Sequence, residues 1–257
     1  MALYLILVSV LGLIVGSFLS AYTYRWPEGI PISQGRSFCP KCKEKISWFD
    51  NIPLFSYLLL RGRCRSCGQK ISLRYPLIEI STAGSFLLMA YFLGDCSRAG
   101  VLCQWQGRLG EWALPYFLFV TSALIAIFVI DLENQLIPDG LVYFMFFLTT
   151  TLLILFWPQE LFLRLLSGFS ASTFLLLIHL ATRGRGMGLG DVKFALFGGL
   201  FAGWPLSGLW LFLSFVIGAV VGVILIFLGK ASLGQKIAFG PFLALSLFIT
   251  MIWGNWL

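Results

Sequence analysis

Eight apolar runs recur along the chain, at residues 2–22, 77–94, 113–130, 140–157, 161–181, 191–204, 206–229 and 239–256. A helix that crosses a bilayer needs about 20 mostly apolar residues. The 257 residues are 59% hydrophobic and 11% charged, with a mean hydropathy of +0.91. An ordinary soluble domain carries about a quarter charged residues. The expected fold is an all-α polytopic membrane protein with about eight transmembrane helices. A soluble helical protein with a buried core is the competing reading, and the recurrence of the runs argues against it. The first run, MALYLILVSVLGLIVG, lacks the basic start of a signal peptide and continues directly into SFLSAY, which predicts a retained span. The run at 191–204 is short and rich in glycine, and the Trp204-Pro205 step predicts a tight turn before the next run.

Lysine and arginine predict the orientation. Between Thr23 and Pro76 lie 10 of the 18 basic residues, against three acids, Glu28, Glu44 and Asp50. Putting this segment in the cytoplasm also places Arg183, Arg185, Lys193, Lys230 and Lys236 there, leaving only Arg98, Arg108 and Arg164 opposite. Both termini then face outward. The formal net charge of +7 is mostly a topology signal, and anionic membrane lipid attracts such juxtamembrane charge. No nucleic-acid partner is expected. The division is threefold: a first transmembrane helix at 1–22, a cytoplasmic insert at 23–76 and a helical membrane domain at 77–257.

The insert contains CPKC at 39–42 and CRSC at 64–67. Two C-x-x-C pairs at this spacing match a structural zinc ribbon, with Cys39, Cys42, Cys64 and Cys67 completing a tetrahedron. A reducing cytoplasm keeps such thiols available for a metal. The alternative, two disulfides, requires the opposite topology. Roughly 50 residues make a marginal core, so a metal staple has a physical purpose. All four thiolates are used, which leaves no open position for catalysis. Cys96 and Cys103 fall on the predicted outer side, where they either pair across a short loop or stay free.

The available chemistry is narrow. The chain has one histidine, His179, within LLLIHLAT, and no G-x-S-x-G elbow, Walker loop or H-E-x-x-H helix. Of the 11 acids, Glu79, Asp131 and Asp191 sit at or inside span edges. An ionisable group at membrane depth is costly, and it is read as functional first. Asp131 ends one span and Asp191 opens another, and the predicted topology brings both to the cytoplasmic face. The plain structural readings are that Asp191 starts a helix, where an acid suits the dipole, and that Asp131 ends one. Two carboxylates held close cannot both ionise easily, so one can serve as base and the other as acid toward an amide and a water. In GMGLGD, residues 186–191, Gly186, Gly188 and Gly190 leave room for backbone to lie near an extended peptide, or simply form a flexible turn.

The chain resembles the type IV prepilin peptidases, also called leader peptidase/N-methyltransferases, over nearly its whole length. The resemblance rests on GSFLSAYTYRWP (16–27), both C-x-x-C pairs, NIPLFSYLLLRGRCRSCGQKISLRYPLIE (51–79), IDLENQLIPD (130–139), GMGLGDVK (186–193) and FGPFLA (239–244). It implies an aspartic membrane endopeptidase of the G-x-G-D type in the bacterial inner membrane. Its substrates would be prepilins and type II secretion pseudopilins, cut after a glycine on the cytoplasmic side. The family's catalytic aspartates correspond to Asp131 and Asp191, and its four cysteines to Cys39, Cys42, Cys64 and Cys67. Methylation of the new N-terminus with S-adenosylmethionine is implied by the resemblance alone. Glu79 resembles a family glutamate: it is either neutralised by Arg74 or part of methyl transfer. The block at 131–139 often carries basic residues in the family, whereas this chain has Glu133, Asn134 and Gln135. Glu133 and Asp139 either meet a leader's lysines, with Lys193 nearby in the G-x-G-D block, or are solvated loop acids. Two other classes compete: an ion-coupled transporter that uses the two aspartates as proton sites, and a zinc-ribbon assembly scaffold without chemistry.

Overall fold

The computed structural model describes residues 2–32, 37–39, 41–94, 100–230 and 237–253. The described α-helices are α1 (Ala2–Arg25), α2 (Phe55–Leu59), α3 (Arg74–Gly94), α4 (Gly100–Leu109), α5 (Ala113–Asn134), α6 (Asp139–Phe156), α7 (Leu161–Ala181), α8 (Leu189–Ala202), α9 (Leu206–Phe227) and α10 (Gly240–Trp253). Each of the eight apolar runs is helical over its described residues. Six helical stretches are long and apolar enough to cross a membrane. α8 and the described α10 have 14 residues each, about 21 Å of helix, which is less than the ~30 Å hydrocarbon core. Among the described residues the expected eight spans are eight helices, six of them of spanning length. α8 is short because Gly188 precedes it in extended backbone and Gly203 ends it at φ +70°. α4 was not expected. It forms because Trp105 is fully buried against Trp157 and Phe201, with ring centroids 4.8 and 5.7 Å away.

The chain divides into two compact units, one of Met1–Gly94 with Leu114–Ala126, the other of Asp95–Ala113 with Ile127–Leu257. In the first unit α1 lies against α3 at glycine spacing. A Cβ at Gly12 would meet the Ala83 Cα at 2.7 Å, and one at Gly16 the Glu79 Cα at 2.7 Å. Lipid tails are as apolar as leucine, so helices in a membrane gain by such close packing rather than by hiding from water. Arg74 ties the two helices at one end, donating to Ser20 O at 3.0 Å and Thr23 Oγ1 at 2.7 Å. The segment between them carries α2 and a 3-10 turn at Trp48–Asn51, joined to the second cysteine pair by Asp50, which accepts from Arg65 at 2.9 and 2.7 Å.

In the second unit α8 packs against α6, α7, α9 and α10. Beyond Lys193 its residues are apolar all round and mostly buried, as expected of a helix enclosed by protein. Adjacent glycines serve different neighbours. Gly198 lies under the Trp210 ring of α9, while a Cβ at Gly199 would come within 2.8 Å of Ser167 O on α7. Gly168 on α7 answers it, 2.6 Å from Leu196 O by the same measure. Gly218 likewise faces Phe242 at 3.1 Å, so these small residues serve contacts inside one chain. Hydroxyls and one indole pin the bundle through Ser167–Ser207 at 2.7 Å, Ser214–Ser246, and Trp210 Nε1 to Leu243 O at 2.9 Å. The Trp204-Pro205 peptide at the α8–α9 turn is cis.

The α1–α3 contact generates a prediction. Gly12→Val should destabilise the protein by about 1–3 kcal/mol through overpacking, read as a lower Tm in detergent. Gly84→Val, where nothing lies within 4 Å, should change it by less than ~0.5 kcal/mol.

Candidate active site and metal centre

Asp131 sits in the last turn of α5, whose end is fixed by Gln135 in the left-handed region at φ 55°, its N–H donating to Asp131 O at 2.9 Å. Asp191 is the third residue of α8. Its Oδ2 accepts the Gly188 N–H at 3.0 Å, closing the helix start. Both carboxylates are buried, 5% and 6% exposed. They come from segments 60 residues apart in sequence, yet both reach the same place in the second unit, around Ile137 and Gly240. Ile137, in the α5–α6 turn, is the hub. A Cβ at Gly190 would meet its Cβ at 3.1 Å, and one at Gly240 its Cδ1 at 3.1 Å. The Cβ at Gly240 would also meet Asp131 Oδ2 at 2.6 Å. That oxygen is buried without a hydrogen-bond partner among the described residues. A buried polar atom left unpaired costs free energy on the order of 1–3 kcal/mol, so the oxygen suits an incoming donor such as a water.

The glycines of GMGLG have inward contacts besides any space they leave. Gly188 lets Asp191 Oδ2 fold back, a Cβ there being 3.1 Å from it; Gly190 seats Ile137; and Gly186 donates its N–H to Thr182 Oγ1 at 3.2 Å. His179 supports the same loop, its Nδ1 lying 2.7 Å from Met187 O. Lys193 pairs with Asp139 across α8 and α6, Nζ to Oδ2 at 2.7 Å, with both side chains substantially exposed. Glu133 is exposed on the last turn of α5. Ile137 and the role of Gly240 were missed from sequence. A glycine-proline pair opening an apolar run was the available signal for Gly240. In the first unit Glu79 is buried and accepts the Leu54 N–H at 2.9 Å, while Arg74 is turned to Ser20 and Thr23.

The insert forms two matching knuckles. Cys39 N–H donates to Glu44 O and Cys64 N–H to Gln69 O, at 2.9 and 2.8 Å. Lys43 and Gly68 then bond back to Cys39 O and Cys64 O, both in the left-handed region at φ 60° and 68°. Isolated bridges Phe38–Lys45 and Arg63–Lys70 close the two turns. The four sulfurs lie within 4.8 Å of one another, Cys39 and Cys67 at 3.9 Å. Thiolates ~2.3 Å from a central ion stand ~3.8 Å apart, so the four thiols form one cluster that can hold a metal. The Cys42 backbone N–H pulls the Cys39 thiol down to about 7, toward the thiolate that a metal needs. Cys96 lies outside the described residues, so its pairing with Cys103 is not described.

Residues 10–93 match the bacterial peptidase A24 N-terminal domain, and residues 118–223 match the type IV leader peptidase family. A prepilin leader peptidase/N-methyltransferase of Pseudomonas putida is 34% identical over 285 residues, covering 99% of this chain and 92% of that protein. One from Stutzerimonas stutzeri is 32% identical, covering 96% and 89%. One from Vibrio cholerae is 40% identical over 153 residues, covering 56% and 54%. No solved structure matches the chain significantly.

The purified protein should carry about one metal ion per chain, measured by inductively coupled plasma mass spectrometry. Cys39→Ser or Cys64→Ser should remove it. Protons compete for thiolate ligands, so retention should be complete at neutral pH and fall as the pH is lowered.

Proposed function

The chain belongs to the type IV leader peptidase family, and on that footing we propose that it cuts the basic leader from type IV prepilins and type II secretion pseudopilins and then methylates the new N-terminus. It is a multi-pass inner-membrane protein. The observation that supports the peptidase assignment is that Asp131 and Asp191, two buried acids from distant segments, both lie around Ile137 and Gly240. The two carboxylates share one proton. The ionised one removes a proton from a water, which attacks the scissile carbonyl. The protonated one donates to the carbonyl oxygen, and the departing amine then takes up a proton from the pair. The buried, unpartnered Oδ2 of Asp131 is an acceptor for that water.

The surrounding residues take supporting parts. Gly186, at the exposed entrance of the loop, presents no side chain to block an extended substrate, while its N–H is held by Thr182 Oγ1. Gly188 and Gly190 hold the aspartate and its turn in place. Lys193 and Asp139 bridge α8 and α6 beside the site, and together with Glu133 they meet the charged leader at the surface. Cleavage is on the cytoplasmic face, with both termini outward, as the distribution of basic residues directs. The exposed apolar side chains of the spanning helices face lipid. Cys39, Cys42, Cys64 and Cys67 would hold a structural zinc ion as four thiolates, and the tetrahedron would brace the insert. The methyl group comes from S-adenosylmethionine, a donor that the N-methyltransferase activity requires.

Asp131→Asn and Asp191→Asn should each lower prepilin cleavage by about 10²–10⁴-fold or more, the usual range for removing an acid or base, with Tm unchanged within a few degrees. The double variant should be little worse than either single one, because the pair acts as a unit. Gly240→Val should imitate the loss by pushing Asp131 Oδ2 aside. Processing is read as the mobility shift and mass of a co-expressed prepilin. Wild-type cleavage by both Asn variants would rule the pair out and favour a scaffold.

A further inference from the structure

The chain between the two cysteine knuckles is amphipathic the wrong way round for water. From Ile46 to Leu60 it carries one charge, Asp50, which Arg65 neutralises at 2.7 Å. α2 turns Phe55, Leu58 and Leu59 outward, on the face that residues three and four apart share. Its polar residues, Ser56 and Tyr57, are half-buried and line the hollow inside the insert together with Asp50 and Asn51. Leu58 and Leu59 are 72% and 65% exposed, and Trp48, in the 3-10 turn just before, is 76% exposed. A helix on a water-facing surface shows the opposite arrangement, with its apolar side chains inward.

The level of this segment says what covers its outer face. Leu54, next to Phe55, donates its N–H to Glu79 Oε2 at 2.9 Å, and Gly16 packs on the Glu79 Cα. Both helices concerned belong to stretches able to span a membrane, Leu3–Arg25 and Arg74–Gly94. At a rise of about 1.5 Å per residue, Glu79 lies about 8 Å inside α3 and Gly16 about 13 Å inside α1. The insert thus folds back along the two spans instead of standing clear of them. That puts α2 level with Leu77 and Ile80 of α3 and with Ile14 and Phe18 of α1, all four exposed. Arg61 and Arg63, both exposed, follow α2 directly. We propose that Trp48–Leu59 is an interfacial membrane segment, with Trp48, Ile52, Phe55, Leu58 and Leu59 among lipid acyl chains and Arg61 and Arg63 on anionic phospholipid headgroups. Tryptophan at the hydrocarbon boundary and arginine just beyond it suit that depth. The ten basic residues against three acids between Thr23 and Pro76 favour lipid over a basic leader peptide, which they repel. The insert is then held to the bilayer between its knuckles as well as by α1 and α3, and the cysteine cluster keeps a fixed height over the membrane.

The test uses the full-length protein in nanodiscs of phosphatidylethanolamine and phosphatidylglycerol, with and without a prepilin. The photo-cross-linker p-benzoylphenylalanine replaces Trp48, Leu58 or, as a control, the exposed Glu28 just past the end of α1. Mass spectrometry identifies what each position captures on illumination. Positions 48 and 58 should capture phospholipid at about fivefold or more the yield at position 28. Phosphatidylglycerol should exceed its share of the bilayer in those adducts by about twofold or more, and Arg61→Gln with Arg63→Gln should return it towards that share. The melting temperature shows whether each variant is folded, and if the Leu58 replacement is not, the Trp48 replacement decides. Adducts at 48 and 58 with peptide, from a second copy of the chain or from the prepilin, would overturn the assignment in favour of a protein-docking face. A lipid yield no higher than at position 28 would overturn it too, by putting the face in water. Lipid adducts without phosphatidylglycerol enrichment would refute the headgroup contacts of Arg61 and Arg63.

Discussion

Holding carboxylates at the margin of an apolar helix bundle is the constraint on which the second unit depends. A charge there costs several kcal/mol unless nearby groups recover it. Asp191 recovers part of that cost at the positive end of α8, through the Gly188 N–H. Asp131 leaves one oxygen unsatisfied, 2.6 Å from where a Cβ on Gly240 would stand. The bundle then surrounds α8 with protein on several sides. A helix of 14 residues could not match the bilayer by itself, and enclosure by α6, α7, α9 and α10 removes that requirement. Its short length also ends it at the site, so Asp191 sits where the helix begins.

The helices were legible because an apolar run near 20 residues has few other uses in a chain this poor in charge. The cysteine cluster was legible because C-x-x-C spacing is a local geometric device, and the structure brings all four sulfurs together. The two aspartates stood out because acids are rare beside apolar runs. What sequence could not give was contact. Arg74 looked like a counter-ion for Glu79 because the two share a helix start, but a guanidinium is satisfied as well by Ser20 O and Thr23 Oγ1 on another helix. Lys193 and Asp139 looked like separate binding groups, and the fold places them 2.7 Å apart. The stretch that forms α4 read as part of a loop, and the fold buries its Trp105 fully against Trp157 and Phe201. Ile137 carried no mark at all, since an isoleucine in a loop becomes a hub only when two glycines from distant segments press on it.

Those glycines show a device used in both units. The buried acids among the described residues are Glu79, Asp131 and Asp191, and each has a glycine against it. Gly16 faces the Glu79 backbone, Gly240 faces Asp131 Oδ2, and Gly188 faces Asp191 Oδ2, with a Cβ at 2.7, 2.6 and 3.1 Å respectively. None of the three has a positive φ, so conformational freedom is not the reason for glycine. The reason is space beside a carboxylate or its backbone. An alanine methyl at Gly240 would collide with the oxygen that has no partner, and one at Gly188 would crowd the carboxylate away from its N–H. Backbone brought this near offers N–H dipoles and excludes bulk without adding a side chain that could quench the acid. A chain that must keep acids both buried and reactive gains more from a missing methyl than from a counter-ion, because a resident lysine or arginine would stabilise the carboxylate and hold it away from chemistry.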